Sequence, residues 1–132
     1  MICAPVACQA VRYFAGACLA LVLDVTVVTV AIAFGLHVVP ARALGLAVGL
    51  TTTYLCSVWF VFRPRPPLSL GGFTRYVAGQ SAGTAVNYGV STVLLALAAG
   101  DRLLGILAVG VGAGVGFVLN FLAARRTLRA RF

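Results

Sequence analysis

The sequence contains no lysine and no glutamate, and its only acidic residues are Asp24 and Asp101 among 132 residues. Charged residues make up 9% of the chain, whereas they make up about a quarter of a typical soluble domain. Hydrophobic residues make up 62%, and the mean hydropathy is +1.10. A soluble fold cannot bury this much apolar surface, so the composition predicts an integral membrane protein.

Residue types that carry catalysis or bind metals are also scarce. The chain has one histidine, His37, and four cysteines, none of them in a C-x-x-C pair. No nucleophile–base pair is visible, and no His/Cys cluster has metal-ligand spacing. We therefore predict no catalytic residue, no metal site, no cofactor and no enzymatic activity. The net charge of +8 would suggest nucleic acid in a soluble protein, but the arginines lie at the ends of apolar runs, so no nucleic-acid partner is expected.

Four apolar runs are long enough to cross a bilayer, which requires about 20 residues. The predicted spans cover residues 14–36, 43–62, 74–99 and 103–124. Residues 63–72 are rich in proline and glycine and divide the chain nearly in half. The predicted fold is an all-α membrane protein with four transmembrane helices in a single domain over residues 1–132.

The arginines are distributed unevenly over the predicted topology. Two of the ten, Arg42 and Arg102, fall on one side of the membrane. The other eight fall on the opposite side: Arg12, Arg63, Arg65, Arg75, Arg125, Arg126, Arg129 and Arg131. The positive-inside rule then predicts a multi-pass protein of the cell (inner) membrane, with both termini and the central linker in the cytoplasm.

The two halves, residues 11–63 and 74–129, resemble each other. VRYFAG at 11–16 and TRYVAG at 74–79 share four of six positions, and Asn87 follows Asp24 at the same offset of 63. The second helix of each half matches at an offset of 67, which pairs Thr53 with Asn120. We predict two parallel two-helix repeats related by an axis along the membrane normal. Small residues four apart form stripes that favour close helix packing.

Asp24 is predicted to lie near the middle of the membrane. It follows Arg12 by twelve residues, about 18 Å along a helix, and the hydrocarbon core is about 30 Å thick. A carboxylate there is costly and should face the bundle interior or a wet cavity. Asp24 is either a protonated structural acid bonded to Asn87 or a hydroxyl, or a functional carboxylate. We expect Asp24 and Asn87 to face each other.

Further polar residues follow the predicted third helix in a stripe: Gln80, Thr84, Asn87 and Ser91. The second helix adds Thr51, Thr52 and Thr53. Hydrogen bonding between helices is the simplest interpretation of these residues, and contact with a transported polar group is the alternative.

Four arginines at predicted cytoplasmic helix ends are candidates for phosphate binding: Arg12, Arg75, Arg125 and Arg126. Arginine forms bidentate hydrogen bonds with phosphate, so these residues would suit an anionic lipid head group. The alternative is that they only set the topology and attract ordinary anionic membrane lipid.

The chain resembles the GtrA-like family of small four-helix membrane proteins over residues 11–129. The resemblance rests on RYFAG at 12–16, Asp24, WFVFR at 59–63, RYVAG at 75–79, Asn87 and NFLAARR at 120–126. The first half departs from the family pattern, with Thr53-Tyr54 where Asn-Phe is usual. The resemblance implies a role in cell-surface polysaccharide synthesis.

Family members are thought to translocate polyprenyl-phosphate-linked sugars or to support the glycosyltransferases that use them. The resemblance thus implies a flippase for such a lipid; the alternatives are an accessory anchor that recruits a glycosyltransferase and a small multidrug exporter. A glycosyltransferase partner or a homodimer would fit, because four helices enclose little volume. The predicted substrate-binding residues are Arg12, Arg75, Arg125, Arg126, Asp24, Asn87, Gln80, Thr84 and Asn120.

Overall fold

The computed structural model describes residues 5–62 and 65–129. Four α-helices occur in this part of the chain: α1 (Val6–Ala33), α2 (Val38–Cys56), α3 (Leu70–Leu97) and α4 (Arg102–Arg129). A short π-helix, Ser57–Val61, directly follows α2 and is called the π segment below. No strand occurs among the described residues, and the prediction of an all-α fold is confirmed.

The chain divides into two compact units, Met1–Leu68 and Ser69–Phe132. In unit 1, α1 packs against α2 and the π segment, and in unit 2, α3 packs against α4. Each unit is therefore a helical hairpin. The division falls within the proline- and glycine-rich segment that the sequence marks as the linker, and the organisation of residues 1–132 as one domain stays a prediction.

Three of the described helices are long and apolar enough to cross a membrane: α1, Val38–Val61 and α4. A helix of 28 residues, the length of α1, extends about 42 Å, which exceeds the hydrocarbon thickness of about 30 Å. α3 also has 28 residues, but polar side chains such as Gln80 and Asn87 lower its hydropathy. The chain is a four-helix membrane protein.

Most helix boundaries lie several residues from the predicted ones. α1 begins at Val6 and ends at Ala33 instead of covering 14–36. α3 begins at Leu70 rather than at 74, and α4 continues to Arg129 rather than ending at 124. Hydropathy marks the part of a helix that suits hydrocarbon, whereas the helix itself continues until a capping signal ends it.

Pro40 does not interrupt α2, although it lies between the first two predicted spans, 14–36 and 43–62. α2 begins at Val38 rather than at 43, so Pro40 lies in its first turn. The amides of a first helical turn have no partner within the helix, and the missing N–H of proline therefore costs nothing there.

A glycine turn ends α1. Gly35 has φ +86°, a backbone conformation that favours glycine. Its N–H donates to the carbonyl of Ile32 at 2.9 Å, and the N–H of Leu36 donates to the carbonyl of Ala31 at 3.0 Å. This pair of bonds is a Schellman motif, which satisfies the last carbonyls of α1 and reverses the chain into α2.

The following helices begin at side-chain caps. His37 Nδ1 accepts a hydrogen bond from the backbone of α2 at 3.4 Å, and Ser69 Oγ accepts one from α3 at 3.0 Å. Asp101 Oδ1 accepts one from α4 at 3.0 Å. These bonds satisfy amides that have no partner within the helix. The single histidine and one of the two acids thus have local structural roles.

Buried side chains recur at repeat-equivalent positions. With the offsets of 63 and 67, the equivalent buried pairs are Tyr13 and Tyr76, Ala20 and Gly83, Tyr54 and Phe121, and Val61 and Leu128. The tyrosines at the beginning of the two hairpins are only 4% and 1% exposed. Equivalent positions of the two hairpins are therefore buried, as expected for a duplicated fold.

Candidate functional site

Close helix contacts near the arginine-bearing end of each hairpin are equivalent in the two repeats. A methyl group placed on Gly16 would lie 3.0 Å from Cys56 Cβ, and one placed on Gly79 would lie 3.0 Å from Ala123 Cβ. Gly79 follows Gly16 by 63 positions, and Ala123 follows Cys56 by 67. The two hairpins therefore pack in the same register.

Asp24 faces α2 in unit 1. Its side chain is half-buried, and a methyl group placed on Gly45 would collide with Asp24 Oδ1 and lie 2.5 Å from Val28 Cγ2. A methyl group on Gly49 would lie 3.6 Å from Asp24 Cβ. The two glycines thus leave room for the carboxylate between α1 and α2, and the side chain lies against the partner helix.

Asn87 and Asn120 occupy the corresponding space in unit 2. A methyl group on Gly116 would lie 2.6 Å from Asn87 Cβ, and one on Gly83 would lie 2.6 Å from Asn120 Cγ. Both asparagines are half-buried. Asn87 is the counterpart of Asp24 and Asn120 that of Thr53. Both lie between α3 and α4, and each is opposite a glycine of the partner helix.

Gln80 joins this group from α3. It is 5% exposed, and its Nε2 donates to the backbone carbonyl of Asn120 at 3.2 Å. Asn120 Oδ1 is buried and has no hydrogen-bond partner among the residues that the structure describes. Unit 2 therefore contains a polar cluster, Gln80, Asn87 and Asn120, that includes a buried acceptor oxygen.

The threonines are arranged differently from the prediction. Thr51 Oγ1 donates to the carbonyl of Ala47 at 2.7 Å, and Thr52 and Thr53 likewise donate to carbonyls of their own helix. The expected bonds between helices are wrong for these three hydroxyls, because a threonine side chain in a helix reaches the carbonyl one turn earlier. Thr84 lies one turn after Gln80 in α3, and its side chain is exposed whereas that of Gln80 is buried.

The candidate phosphate-binding arginines lie at helix ends. Arg12 in α1 is exposed, and its Nη1 donates to the carbonyl of Phe60 at 3.4 Å. Arg75 is exposed one turn before Gly79, while Arg125 is half-buried and Arg126 exposed in the last turns of α4. Because Gly79 contacts α4 two residues before Arg125, the three arginines of unit 2 share one end of its hairpin.

Some residues of the sequence analysis lie outside the described part of the chain. They are Arg63, Arg131, and the side chains of Arg42 and Ser91. The facing arrangement of Asp24 and Asn87 stays a prediction.

A groove in unit 1 was not foreseen from the sequence. It has a volume of about 310 Å³ and is lined by Arg12, Ala15, Gly16, Leu19, Cys56 and Phe60. Arg12 is its only charged residue. No signal in the sequence indicated the π segment that places Phe60 beside Arg12. Because Arg12 and Arg75 are equivalent in the repeat, the sequence suggested that the surroundings of these two arginines would be alike.

Four helices in two equivalent hairpins, each with arginines at one end and polar side chains between its helices, define a duplicated membrane protein. The family model of the GtrA/DPMS transmembrane domain matches residues 12–128, and the chain belongs to this family. A search of curated proteins and a search of solved structures each found no match. The domain fits membrane proteins that handle polyprenyl-phosphate-linked sugars, and it is generally non-catalytic.

Proposed function

We propose that the protein translocates a polyprenyl-phosphate-linked sugar across the cytoplasmic membrane for cell-surface polysaccharide synthesis. The observation that carries the proposal is the combination, within each hairpin, of arginines at one end and polar side chains between the helices. In unit 1 these are Arg12 and Asp24, and in unit 2 they are Arg75, Arg125 and the Gln80–Asn87–Asn120 cluster.

The phosphate, the sugar and the polyprenyl chain of the substrate each need a different environment in the protein. A phosphate is bound well by guanidinium groups, which form charged and often bidentate hydrogen bonds. A sugar needs hydrogen-bonding partners while it is inside the membrane, and buried amides and carboxyl groups offer them. The polyprenyl chain is apolar and stays in lipid or against apolar helix surfaces. The hairpins present all three environments.

The orientation that fits this function has both termini and the linker in the cytoplasm, where the lipid-linked sugar is made. The arginine distribution supports that orientation. Because four helices enclose little volume, we propose that the protein works as a homodimer or together with a glycosyltransferase that supplies the substrate.

The function can be tested with purified protein in vesicles that contain a fluorescent polyprenyl-phosphate-linked sugar. We expect the label to exchange between leaflets faster than in protein-free vesicles. Combined replacement of Arg75, Arg125 and Arg126 by Gln should slow exchange, because each lost charged hydrogen bond to phosphate costs about 1–3 kcal/mol of binding free energy. Arg102→Gln removes one charge from the other predicted side of the membrane and is the control.

An accessory role would give a different result in the same system. Exchange of the label would then equal that of protein-free vesicles, while the protein would still recruit a polyprenyl-phosphate glycosyltransferase to the membrane in a flotation assay. Exchange of a cationic dye driven by a proton gradient, without exchange of the lipid-linked sugar, would instead indicate a multidrug exporter.

A further inference from the structure

The π segment changes the way in which the second helix of unit 1 ends. Phe62 N–H donates to the carbonyl of Ser57 at 3.0 Å, a bond five residues back along the chain. Carbonyls at a helix end have no partner within the helix, and here the carbonyl of Phe60 accepts from Arg12 Nη1. This bond holds the guanidinium at the end of the groove and occupies only part of its donor capacity.

The rest of the groove is lined by residues without charge. Ala15 and Gly16 are small and leave space, while Leu19 and Phe60 provide larger apolar surfaces that are about half exposed. Cys56 lies in the groove next to Gly16, with the two residues in close contact. The groove therefore has a cationic group at one end and an apolar lining along α1.

The equivalent positions of the second repeat do not carry the same side chains. By the offsets of 63 and 67, the counterparts of the lining residues are Arg75, Ala78, Gly79, Ala82, Ala123 and Thr127. Alanine replaces Leu19 and threonine replaces Phe60, so the larger apolar surfaces are missing. α4 also continues as an α-helix to Arg129 instead of passing into a π-helix.

We propose that the groove of unit 1 binds the polyprenyl chain of the lipid-linked sugar next to its phosphate, with Arg12 hydrogen-bonded to that phosphate. The proposal rests on the proposed function for the identity of the lipid. An anionic head group followed directly by an apolar chain matches the order of charge and apolar surface in the groove. Its volume of about 310 Å³ is small for a ligand site, so it holds a stretch of one chain.

The native Cys56 provides a direct reporter. In a variant with Cys3, Cys8 and Cys18 replaced by Ser, Cys56 would be labelled with a maleimide in phosphatidylcholine nanodiscs. A saturating amount of a polyprenyl phosphate should slow the labelling several-fold, because the chain covers the thiol. Phosphatidylglycerol at the same concentration should not slow it. Equal protection by both lipids, or protection by neither, would overturn the proposal.

Two pairs of variants test the residues that form the groove. Leu19→Trp fills the groove and should weaken binding of the polyprenyl phosphate. We expect the lipid concentration that halves the labelling rate of Cys56 in this variant to rise about tenfold or more. Leu21→Trp makes the same change at an exposed position of α1, outside the groove, and should leave binding unchanged. Arg12→Gln should also weaken binding about tenfold, whereas Arg102→Gln should not.

The outcomes separate this inference from the proposed function. If Leu19→Trp binds the lipid as tightly as its control and transport is normal, the groove is not the site and the translocation proposal stands. If Cys56 is protected and Leu19→Trp abolishes the protection, but the intact protein moves no lipid-linked sugar in vesicles, the groove binds the lipid and the translocation proposal falls. Circular dichroism of each variant verifies that it remains helical.

Discussion

At the scale of single residues, the acid in the membrane is the most informative position. Asp24 lies against Gly45 and Gly49 of α2 instead of on the lipid-facing surface of α1. The second repeat has an asparagine at the same place, and Asn87 lies against Gly116 in the same way. A polar side chain of this size fits the position whether it is a carboxyl group or an amide, which indicates that hydrogen bonding and shape are needed more than charge.

This comparison leads to a prediction for Asp24→Asn. The variant should fold with unchanged stability and retain transport, because the amide has the shape of the carboxyl group and the second repeat already uses it. Asp24→Leu should be destabilised by about 1–3 kcal/mol, because its methyl groups replace the oxygen atoms beside Gly45. Thermal unfolding in detergent and the vesicle exchange assay measure the two effects. A folded Asp24→Asn variant without transport would show that the carboxylate itself is required.

Sequence reasoning succeeded for some residues and failed for others, for a physical reason. Residues four apart share a helix face, so the stripe through Gly45 and Gly49 could be recognised from spacing alone. The threonine hydroxyls could not be assigned in this way. A hydroxyl can reach either a neighbouring helix or the carbonyl one turn back, and spacing does not distinguish the two.

At the scale of the helices, two groups of glycines differ in what a methyl group placed on them would meet. Gly45, Gly83 and Gly116 lie opposite side chains of the partner helix that leave no room for a methyl group. Gly89 and Gly110 have no atom within 4 Å of the position a methyl group would take. The first group sets the distance between the helices, whereas the second group does not limit it.

These groups predict opposite effects of alanine. Gly83→Ala and Gly45→Ala should lower the free energy of unfolding by about 1–3 kcal/mol, because the new methyl group meets Asn120 in one case and Asp24 in the other. Gly89→Ala and Gly110→Ala are matched controls that should be neutral or stabilising by up to about 1 kcal/mol, since alanine is the better helix former. Unfolding by denaturant in detergent micelles compares the four variants. Equal stability of Gly83→Ala and Gly89→Ala would show that α3 and α4 do not pack as described.

The helix ends were the least predictable feature of the elements. Hydropathy located four apolar runs but not the capping residues, so Ser69 and Asp101 were not recognised as the residues that begin α3 and α4. The π segment was not predicted from the sequence, because π-helices are rare and short. The groove beside Arg12 depends on that turn and was missed with it.

At the scale of the whole molecule, the duplication and the family assignment agree. The offsets read from the sequence relate both the glycine contacts and the buried residues of the two hairpins. The membrane class and the family could be predicted because composition and the repeated motifs extend over nearly the whole chain. The substrate-binding residues could not be fixed to the same degree, since both repeats contain arginines and only the structure shows that one of them borders a groove.

Topology is the prediction that belongs to this scale. Reporter fusions after residue 132 and within the linker at residues 64–67 should both report a cytoplasmic location, because eight of the ten arginines lie on the side that contains them. A reporter inserted between α1 and α2, after Gly35, serves as the opposite control and should report the outer side. A periplasmic signal from residue 132 or from the linker would contradict the orientation.

The threonines of unit 1 have a consequence for motion. The hydroxyls of Thr26, Thr29, Thr51, Thr52 and Thr53 each bond to a carbonyl of their own helix. A small shear of α1 along α2 would therefore break none of these bonds, and its cost would come from repacking at the glycine contacts. The threonine hydroxyls therefore do not hold α1 and α2 at one fixed position along each other.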